Sequence, residues 1–361
     1  MNKVVYLDAK RRRVPPVATN GAGPAGSASG PETAVAPRAV QVSIVMVSYH
    51  TGPELDEAIG AVLAQGADLE LIVVDNGNPE EVTTALKGRS LADPRLNVLT
   101  GHGNVGYAAA CNLGARQASG EYLLLLNPDC VLQPDTLINL IRLTEGTARP
   151  WVAGCRIVNP DGTDQRGSRR ELPTPWLTLV EALRLDRMAP NHPYFRRLNQ
   201  HDEPLPESVG VVPAVSGACM LMPLDDYRTI GGMDERYFLH VEDLDLCFTI
   251  ARAGGTVLFV PQVSIVHYKS TSNASAAWIE WYKARGFTQY FRKNFTGLYP
   301  DLFLTSVNLL VWCYYVLRLG KLARTTAVRL VKTLFGRGGG FNPTGEAGQG
   351  GVKDGRKGRA A

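Results

Sequence analysis

The sequence predicts an α/β fold in which a mixed, mainly parallel sheet is flanked by helices. The first observation is a regular alternation of strand-like and helix-like segments from residue 42 onward. The second is that the strand-like segments are apolar throughout, as in strands covered on both faces. The third is that acidic residues end several of these segments, at the edge where parallel sheets bind ligands. With 361 residues and 45% hydrophobic content, the chain can bury one large core, or one core and a small appendage.

The predicted elements follow in order. The β-branched run VSIVMVS (42–48) is a strand, and the next segment is a helix opened by Gly52-Pro53 and closed by Gly66. A second strand in LELIVVDNG ends at Asp75. After a short helix come the strand RLNVLT, a glycine-containing loop, the helix GYAAACNLGARQASG and the strand EYLLLLNPDC, which leads into Asn127-Pro128-Asp129.

The two ends of the chain have the composition of disordered segments. Residues 1–40 form a predicted leader rich in Pro, Ala, Gly and Ser, and residues 336–361 form a glycine-rich, basic tail. The charged N-terminus has no apolar stretch after it, so no secretory signal is predicted. Six scattered cysteines without a C-x-x-C pair indicate reduced thiols and a cytoplasmic location. A formal net charge of +4 is too small to indicate a nucleic-acid-binding protein.

The stretch LTGHGNVGYAAACN (99–112) places Gly101, Gly103 and Gly106 in a G-x-G-x-x-G pattern, with Glu121 about twenty residues from its start. In a dinucleotide-binding fold this loop follows the first strand, and the acidic residue ends the next strand. Here two strand–helix units precede the loop, and Glu121 begins its strand. The pattern therefore argues against an NAD-dependent oxidoreductase.

Asp75 and Asp129 end strands on either side of this loop, which suits a nucleoside diphosphate bound with a metal ion. One carboxylate can accept hydrogen bonds from a base or ribose, and the other can hold a divalent cation that bridges diphosphate oxygens. The alternative is that each aspartate caps the helix that follows it.

A later helix is predicted from near Glu242 to Gly254-Gly255, because apolar residues recur there at helical spacing. The N–H groups and dipole at a helix start favour ionised carboxylates, as a general base requires. The alternative is that Glu242 and Asp243 only cap the helix, with Asp245 a solvated neighbour. A strand within 258–271 then leads into His267 and Lys269.

Five segments occur in one order along the chain: VSIVMVSYH, IVVDNGN, GNVGYAAACNLGARQASGEYLLLLNPD, VSGACMLMP and GGMDERYFLHVEDLDLCFTIARAGG. Together they resemble the family 2 glycosyltransferases, inverting enzymes of the GT-A fold that use nucleotide-activated sugars. The resemblance covers roughly residues 41–295 and implies a catalytic domain over 41–298. Three further segments, RRELPTP, DERYFLHVEDLDLC and VHYKSTS, look most like bacterial rhamnosyltransferases that build cell-wall linkers and surface polysaccharides.

The resemblance implies a role for each matching residue, and Asp243 matches the catalytic base. Asp129 matches the last position of the D-x-D metal motif, and Asn127 replaces its first aspartate, which removes one charge from the cation site. His267 matches a metal ligand in many relatives, although a lone histidine after a strand is often structural. The implied cofactor is Mg²⁺ or Mn²⁺. The residues implied to bind the nucleotide-sugar are Val47, Ser48, Tyr49, Asp75, Asn104, Gly106, Asn112, Asn127 and Lys269.

Residues 165–210 are basic, aromatic and irregular in pattern, and in a GT-A protein this region covers the acceptor site. Arg166, Arg169 and Arg170 are therefore candidates to contact an anionic acceptor such as a pyrophosphate. The alternative is a solvated basic loop. His240 lies close to the implied base and is a further candidate for an acceptor contact.

Residues 299–335 contain an apolar run, 302–317, followed by predicted amphipathic helix with basic residues on one side. The run is marginal as a spanning helix, because about 20 apolar residues are usually needed and Asn308 interrupts it. The pattern is typical of a helix that lies on an anionic membrane surface. Packing on the catalytic domain or on a second subunit is the alternative, which leaves a homo-oligomer open.

The leading hypothesis is an inverting, metal-assisted glycosyltransferase, peripheral on the cytoplasmic face of a bacterial plasma membrane. It would transfer L-rhamnose from dTDP-β-L-rhamnose to a polysaccharide or polyprenyl-pyrophosphate-linked acceptor. The alternatives are a transferase that uses a UDP- or GDP-linked sugar, and a catalytically inactive nucleotide-sugar-binding scaffold.

Overall fold

The computed structural model describes residues 41–188, 195, 204–269 and 275–335. The predicted leader and tail lie outside the described residues. The strands are β1 (Gln41–Ser48), β2 (Asp68–Asp75), β3 (Leu96–Leu99), β4 (Tyr122–Leu126), β5 (Cys130–Leu132), β6 (Trp151–Val158), β7 (Arg169–Arg170), β8 (Gly210–Val211), β9 (Ala214–Val215), β10 (Cys219–Pro223) and β11 (Thr256–His267). The helices are α1 (Glu54–Leu63), α2 (Glu80–Ala92), α3 (Tyr107–Gln117), α4 (Thr136–Thr144), α5 (Pro175–Ala182), α6 (Leu185–Met188), α7 (Leu224–Thr229), α8 (Glu242–Arg252), α9 (Ala276–Phe295) and α10 (Asp301–Phe335).

The main sheet has the strand order β3-β2-β1-β4-β10-β6-β11-β5, with β8 paired to β11. Neighbouring strands from β3 to β4 are parallel, as are β6 and β11, whereas β10 and β5 run antiparallel to their neighbours. The predicted mixed, mainly parallel sheet with flanking helices is therefore confirmed. A second, two-stranded sheet joins β7 to β9.

This topology brings the ends of several strands to one edge. Ser48 at the end of β1 pairs with Asp75 at the end of β2, and Leu126 at the end of β4 pairs with Cys219 at the start of β10. On the far side of the sheet, His267 at the end of β11 pairs with Cys130. The residues that follow β1, β2, β4 and β11 therefore share this edge, which we call the ligand edge.

The sheet separates two hydrophobic clusters. In β1, Val45 and Val47 belong to the cluster beneath α3, α8 and α9, whereas Ile44 and Met46 belong to the cluster that includes residues of α1 and α4. Both faces of the strand are therefore covered, which explains why its sequence is apolar throughout rather than alternating.

The structure refines two expectations about local structure. Part of the region 165–210 is regular, because residues 175–182 form α5 behind an N-cap at Thr174, whose side chain accepts a hydrogen bond of 3.0 Å from Leu177 N. The predicted C-terminal helical segment is present as one long helix, α10.

The chain divides into two compact units, residues 1–316 and 317–361. In the first unit, the early turns of α10 bury Leu304 and Val307 in the core. The opposite side of the same turns exposes apolar residues at Leu302, Leu309 and Val316. By length and composition alone, Asp301–Thr325 qualifies as a membrane-spanning helix.

Candidate active site

Asp75 ends β2 at the ligand edge and organises the loop that follows it. Its carboxylate accepts hydrogen bonds from Asn78 N (2.9 Å) and Nδ2 (2.8 Å), Thr83 Oγ1 (2.5 Å) and Thr100 Oγ1 (3.1 Å). Burial disfavours the charged form, but the hydrogen bonds from Thr83, Asn78 and Thr100 outweigh it and lower the pKa of Asp75. Asp75 therefore fixes the loop between β2 and α2, but it does not cap α2, whose N-cap is Pro79 without a side-chain cap hydrogen bond. Contact of this carboxylate with a base or ribose stays a prediction.

The end of β1 contributes the other residues predicted for the base pocket. Val47 is buried in the core, Ser48 is buried beside Asn78, and Tyr49 is half-buried. Asn78 connects the two strand ends, because its Nδ2 also donates to Ser48 O at 3.0 Å. The structure thus brings the ends of β1 and β2 together through an asparagine that the sequence analysis did not identify.

The glycine loop is fixed by two further asparagines, Asn76 and Asn104. Asn104 Oδ1 accepts from Asn76 Nδ2 (3.0 Å) and Gly106 N (3.1 Å), and Asn76 Oδ1 accepts from Val105 N (3.0 Å). Gly106 has a φ of 89°, and a Cβ atom there would lie 2.8 Å from the carbonyl oxygen of Phe238. Only glycine fits this close approach in that conformation.

Tyr107, which follows Gly106, links the loop to the rest of the ligand edge. Its N–H donates to Phe238 O at 2.7 Å, and its hydroxyl donates to Asn127 Oδ1 at 3.1 Å. Asn127, at the position where the family motif has its first aspartate, is therefore held by α3 at the mouth of the loop.

Asp129 and His267 form a pair suited to a cation. His267 Nε2 lies 3.1 Å from Asp129 Oδ1, and both side chains are buried. Their convergence from β11 and the turn after β4 agrees with the implied metal site.

Gln165 sets the orientation of His267. Its Oε1 lies 2.7 Å from His267 Nδ1, and its Nε2 donates to His267 O and Asn159 Oδ1, both at 3.0 Å. Since the Gln165 amide must present its oxygen to the ring, Nδ1 carries the hydrogen and Nε2 directs a lone pair at Asp129 in the neutral ring. A carboxylate oxygen and an imidazole nitrogen facing each other suit a divalent cation between them.

Cys130 lies within 4.8 Å of the ligand atoms of Asp129 and His267. Its thiol is fully buried and donates to Ala218 O at 3.5 Å, and burial raises its pKa well above the usual value. Because a thiol must lose its proton to ligate a metal, the donor set is the carboxylate and the imidazole, an oxygen–nitrogen set that Mg²⁺ or Mn²⁺ accepts.

Asp243 is the second residue of α8, which begins at Glu242 as predicted, and its carboxylate is held from several sides. Its Oδ2 is paired with Arg170 and also accepts from Gly217 N at 2.9 Å, while Oδ1 accepts from Leu244 N at 2.8 Å. A Cβ atom on Gly217 would lie 3.0 Å from Asp243 Cβ, so a larger residue would crowd the carboxylate. The N-cap residue is Val241, not Glu242 or Asp243, and no side chain caps the helix.

The segment before β10 joins Asp243 to the cation pair. Ala218 O accepts from Asn127 N at 3.0 Å, and Gly217 O accepts from Tyr107 Oη at 3.4 Å. Gly217 N in turn donates to Asp243. The short turn at Gly217–Ala218 therefore contacts both Asn127, at the D-x-D motif, and Asp243.

The structure does not bring every predicted residue into this group. The side chain of Asn112 makes its hydrogen bonds to Tyr227, Met233 and Glu235. Lys269 is exposed, with a φ of 64°. Asp245 is buried and bonded to Tyr237, Asn294 and Lys293, so the alternative in which it is a solvated neighbour is wrong.

The three arginines of the basic segment differ from one another. Arg166 is exposed, Arg169 is buried with its guanidinium 5.5 Å from the ring centre of Phe259, and Arg170 reaches Asp243. A solvated loop is therefore wrong for Arg169 and Arg170, and Arg169 is occupied within the fold by Phe259 and the carbonyl of Pro204.

Comparison with known proteins fits this geometry. Residues 43–211 match the family model Glycosyl transferase family 2. The chain carries a glycosyl transferase family 2 domain. Among similar proteins, the N-acetylglucosaminyl-diphospho-decaprenol L-rhamnosyltransferase of Mycobacterium tuberculosis is 28% identical over 241 residues, which cover 63% of this chain and 76% of that protein. Rhamnosyltransferase WbbL of Escherichia coli is 26% identical over 211 residues, covering 58% of this chain and 73% of that one.

The fold is that of the GT-A glycosyltransferases. A solved structure of GalNAc-T7 with UDP, GalNAc and Mn²⁺ aligns with a TM-score of 0.50 and 16% identity. The alignment covers 76% of this chain and 55% of that one, so this chain spans about half the length of that solved protein.

Proposed function

We propose that this protein is an inverting glycosyltransferase that moves a sugar from a nucleoside diphosphate to an acceptor hydroxyl. The proposal rests on the observation that a candidate cation site and a candidate general base lie together at the ligand edge. Asp129 and His267 offer a cation site, and Asp243 lies across the turn at Gly217–Ala218. A nucleotide-sugar between them would present its diphosphate to one side and its anomeric carbon to the other.

Asp129 Oδ1 and His267 Nε2 would hold the divalent cation, and Gln165 would keep the histidine oriented. A bound Mg²⁺ or Mn²⁺ neutralises charge on the departing diphosphate. Asn127 contributes no charge at the first motif position, so one carboxylate of this chain serves the cation there.

Asp243 would act as the general base. Its carboxylate takes the proton of the acceptor hydroxyl as the oxygen attacks the anomeric carbon, and the bond to the diphosphate breaks with its electron pair. Because the displacement is direct and has no covalent intermediate, the anomeric configuration inverts. Base catalysis of this kind accelerates a reaction by about 10²–10⁴-fold.

The proposed donor is dTDP-β-L-rhamnose, and the proposed acceptor is a sugar linked through a diphosphate to a polyprenyl lipid. The names of the Mycobacterium tuberculosis and Escherichia coli relatives, both rhamnosyltransferases, support rhamnose, and the first of these names supports the lipid-linked acceptor. UDP- and GDP-linked sugars are the competing donors.

We also propose that α10 lies on the inner surface of the plasma membrane. In the unit 1–316, one side of its early turns is packed into the core through Leu304 and Val307, so lipid cannot surround these turns. The other side exposes Leu302, Leu309 and Val316 at seven-residue spacing, which is the pattern of a helix lying in an interface. From Leu302 to Gly345 the sequence has no acidic residue.

A panel of dTDP-rhamnose, UDP-sugars and GDP-sugars with Mn²⁺ or Mg²⁺ tests the donor. We expect dTDP-rhamnose to raise the melting temperature most and to be consumed when a lipid-linked N-acetylglucosaminyl diphosphate is added. Greater stabilisation by a UDP- or GDP-sugar would show that this sugar, and not dTDP-rhamnose, is the donor. Binding without consumption of any sugar would favour an inactive nucleotide-sugar-binding scaffold.

A further inference from the structure

Two cations surround the turn that leads into Asp243. Arg170 is paired with Asp243, and Lys283 Nζ lies 3.4 Å from Glu280 Oε1. His240 lies on this turn, and its pKa is lowered to about 4 chiefly by its removal from water and then by the Lys283 charge; Arg170 also lowers it, whereas Asp243 and Glu280 raise it. The charges of Arg170, Lys283, Asp243 and Glu280 therefore all act on one half-buried histidine.

The backbone holds this group in place. His240 and Val241 have φ values of 67° and 76°, two successive left-handed residues immediately before α8. Helix α9 packs on this turn, because a Cβ atom on Gly286 would lie 3.1 Å from His240 O. Lys283 lies three residues before Gly286, on the same face of α9. Lys283 therefore lies on the side of α9 that packs on the turn.

Arg170 has donor capacity that the described residues do not use. Its guanidinium pairs with Asp243, but its Nε is buried and has no hydrogen-bond partner among the described residues. A buried donor left without a partner is costly, so a ligand acceptor that reached this nitrogen would be favoured.

The same contact blocks the proposed base. Asp243 Oδ2 already accepts from Arg170 and Gly217 N, and Oδ1 accepts from Leu244 N. The backbone donors are fixed by their segments, so Arg170 is the donor that can leave. Oδ2 becomes free for a proton when the guanidinium moves.

We propose that Arg170 and Lys283 form the subsite for a phosphate group of the acceptor, and that phosphate binding draws Arg170 away from Asp243. The inference rests on the proposed function. The acceptor is then an anion, and its arrival exposes the base only when the hydroxyl to be deprotonated is present. Without the phosphate, Asp243 stays paired with Arg170, which limits the attack of water on the donor.

The test compares two acceptors with the full chain: N-acetylglucosaminyl-diphospho-decyl, and an uncharged decyl N-acetylglucosaminide. We expect the wild-type protein to favour the diphosphate acceptor in kcat/KM by at least about tenfold. Arg170→Met should abolish most of this preference and increase hydrolysis of the donor in the absence of acceptor several-fold. Lys283→Met should reduce the preference without increasing hydrolysis, because Lys283 does not pair with Asp243.

Arg89→Met is the matched control, because Arg89 on α2 is also paired with an aspartate, Asp56 on α1. It should change neither quantity. Thermal unfolding of each variant identifies misfolding, and Lys283→Met, which alters a more exposed side chain, then provides the result.

Equal use of both acceptors by the wild type would overturn the inference. A rise in donor KM rather than acceptor KM in Arg170→Met would also overturn it, since the donor diphosphate would then be the anion. Failure of the wild type to consume any donor would instead contradict the proposed function.

Discussion

At the scale of single residues, Gln165 is the clearest case of a side chain that acts through another. It contacts His267 at both the ring and the backbone carbonyl. We expect Gln165→Met to weaken Mn²⁺ binding about 10–100-fold, the usual effect of removing a partner that orients a metal ligand. Titration of Mn²⁺ in the presence of dTDP, followed by electron paramagnetic resonance, measures it directly.

The matched control is Gln262→Met, since Gln262 is an exposed glutamine on the same strand, β11. It should leave Mn²⁺ affinity unchanged. Equal affinities for the Gln165 variant and the wild type would show that the histidine does not depend on this amide.

Glu242 predicts a pH dependence of stability. Burial, followed by the neighbouring Asp243 charge, raises the pKa of Glu242 from 4.5 to about 8, and its Oε2 has no hydrogen-bond partner among the described residues. Between pH 4.5 and 8 the native state therefore holds a proton that the unfolded chain has lost. The stability that the protonated Glu242 contributes is therefore complete below pH 4.5, and it is lost as the pH rises from 4.5 through about 8.

Glu242→Gln removes this titration, so its free energy of unfolding should fall less than that of the wild type as pH rises. Denaturant unfolding at a series of pH values measures the difference. Glu81→Gln, at an exposed position in α2, is the control and should parallel the wild type. If the Glu242 variant also gave a parallel curve, the buried carboxyl would not be protonated in the native state.

At the scale of elements, the glycine loop depends on the approach of α3 to Phe238. Gly106→Ala would place a methyl group 2.8 Å from the Phe238 carbonyl oxygen at a φ of 89°. We expect a loss of about 1–3 kcal/mol in stability from overpacking, together with weaker nucleotide binding. Thermal unfolding and dTDP titration measure both effects.

Gly103→Ala is the matched variant, because Gly103 has a φ of 66° but nothing within 4 Å of a Cβ atom. Gly103→Ala should lose only roughly 1 kcal/mol of stability, the cost of holding an alanine in a left-handed backbone conformation. Equal losses in the two variants would mean that the contact with Phe238 is unimportant.

Sequence patterns predicted the elements of the sheet because each strand carries its own apolar run and each helix its own periodicity. The same patterns placed Asp75, Asp129 and Asp243 at element ends. They could not identify Gln165, which is 102 residues from His267, or the pairing of Arg170 with Asp243 across 73 residues. Such contacts depend on strand order, and no local spacing carries that information. Asn112 shows a different limit: its position matches the family motif and predicts contact with the nucleotide, but its side chain forms hydrogen bonds within the core.

At the scale of the whole molecule, the exposed side of α10 predicts binding to lipid. Leu309 and Val316 are 64% and 62% exposed, in contrast to the buried Leu304 and Val307. We expect the full chain to sediment with vesicles made of equal parts phosphatidylglycerol and phosphatidylcholine. The double variant Leu309→Asp/Val316→Asp should lower this affinity about tenfold or more, since burying each apolar side chain contributes about 1.5–3 kcal/mol.

Leu91→Asp is the control, because Leu91 is 90% exposed on α2 and outside this helix. Its vesicle binding should match the wild type. A double variant that still sediments fully, or a wild-type protein that forms dimers through α10 in the absence of lipid, would point to a protein partner instead.

The most direct measurement of the central claim is transfer by Asp243→Asn compared with the wild type. It follows nucleotide release with Mn²⁺, the donor chosen by the panel and the lipid-linked acceptor, alongside the Kd of the donor. We expect turnover to fall by about 10²–10⁴-fold while donor binding is unchanged. Turnover near the wild-type rate would contradict the account, because the group assigned to remove the acceptor proton would then be dispensable.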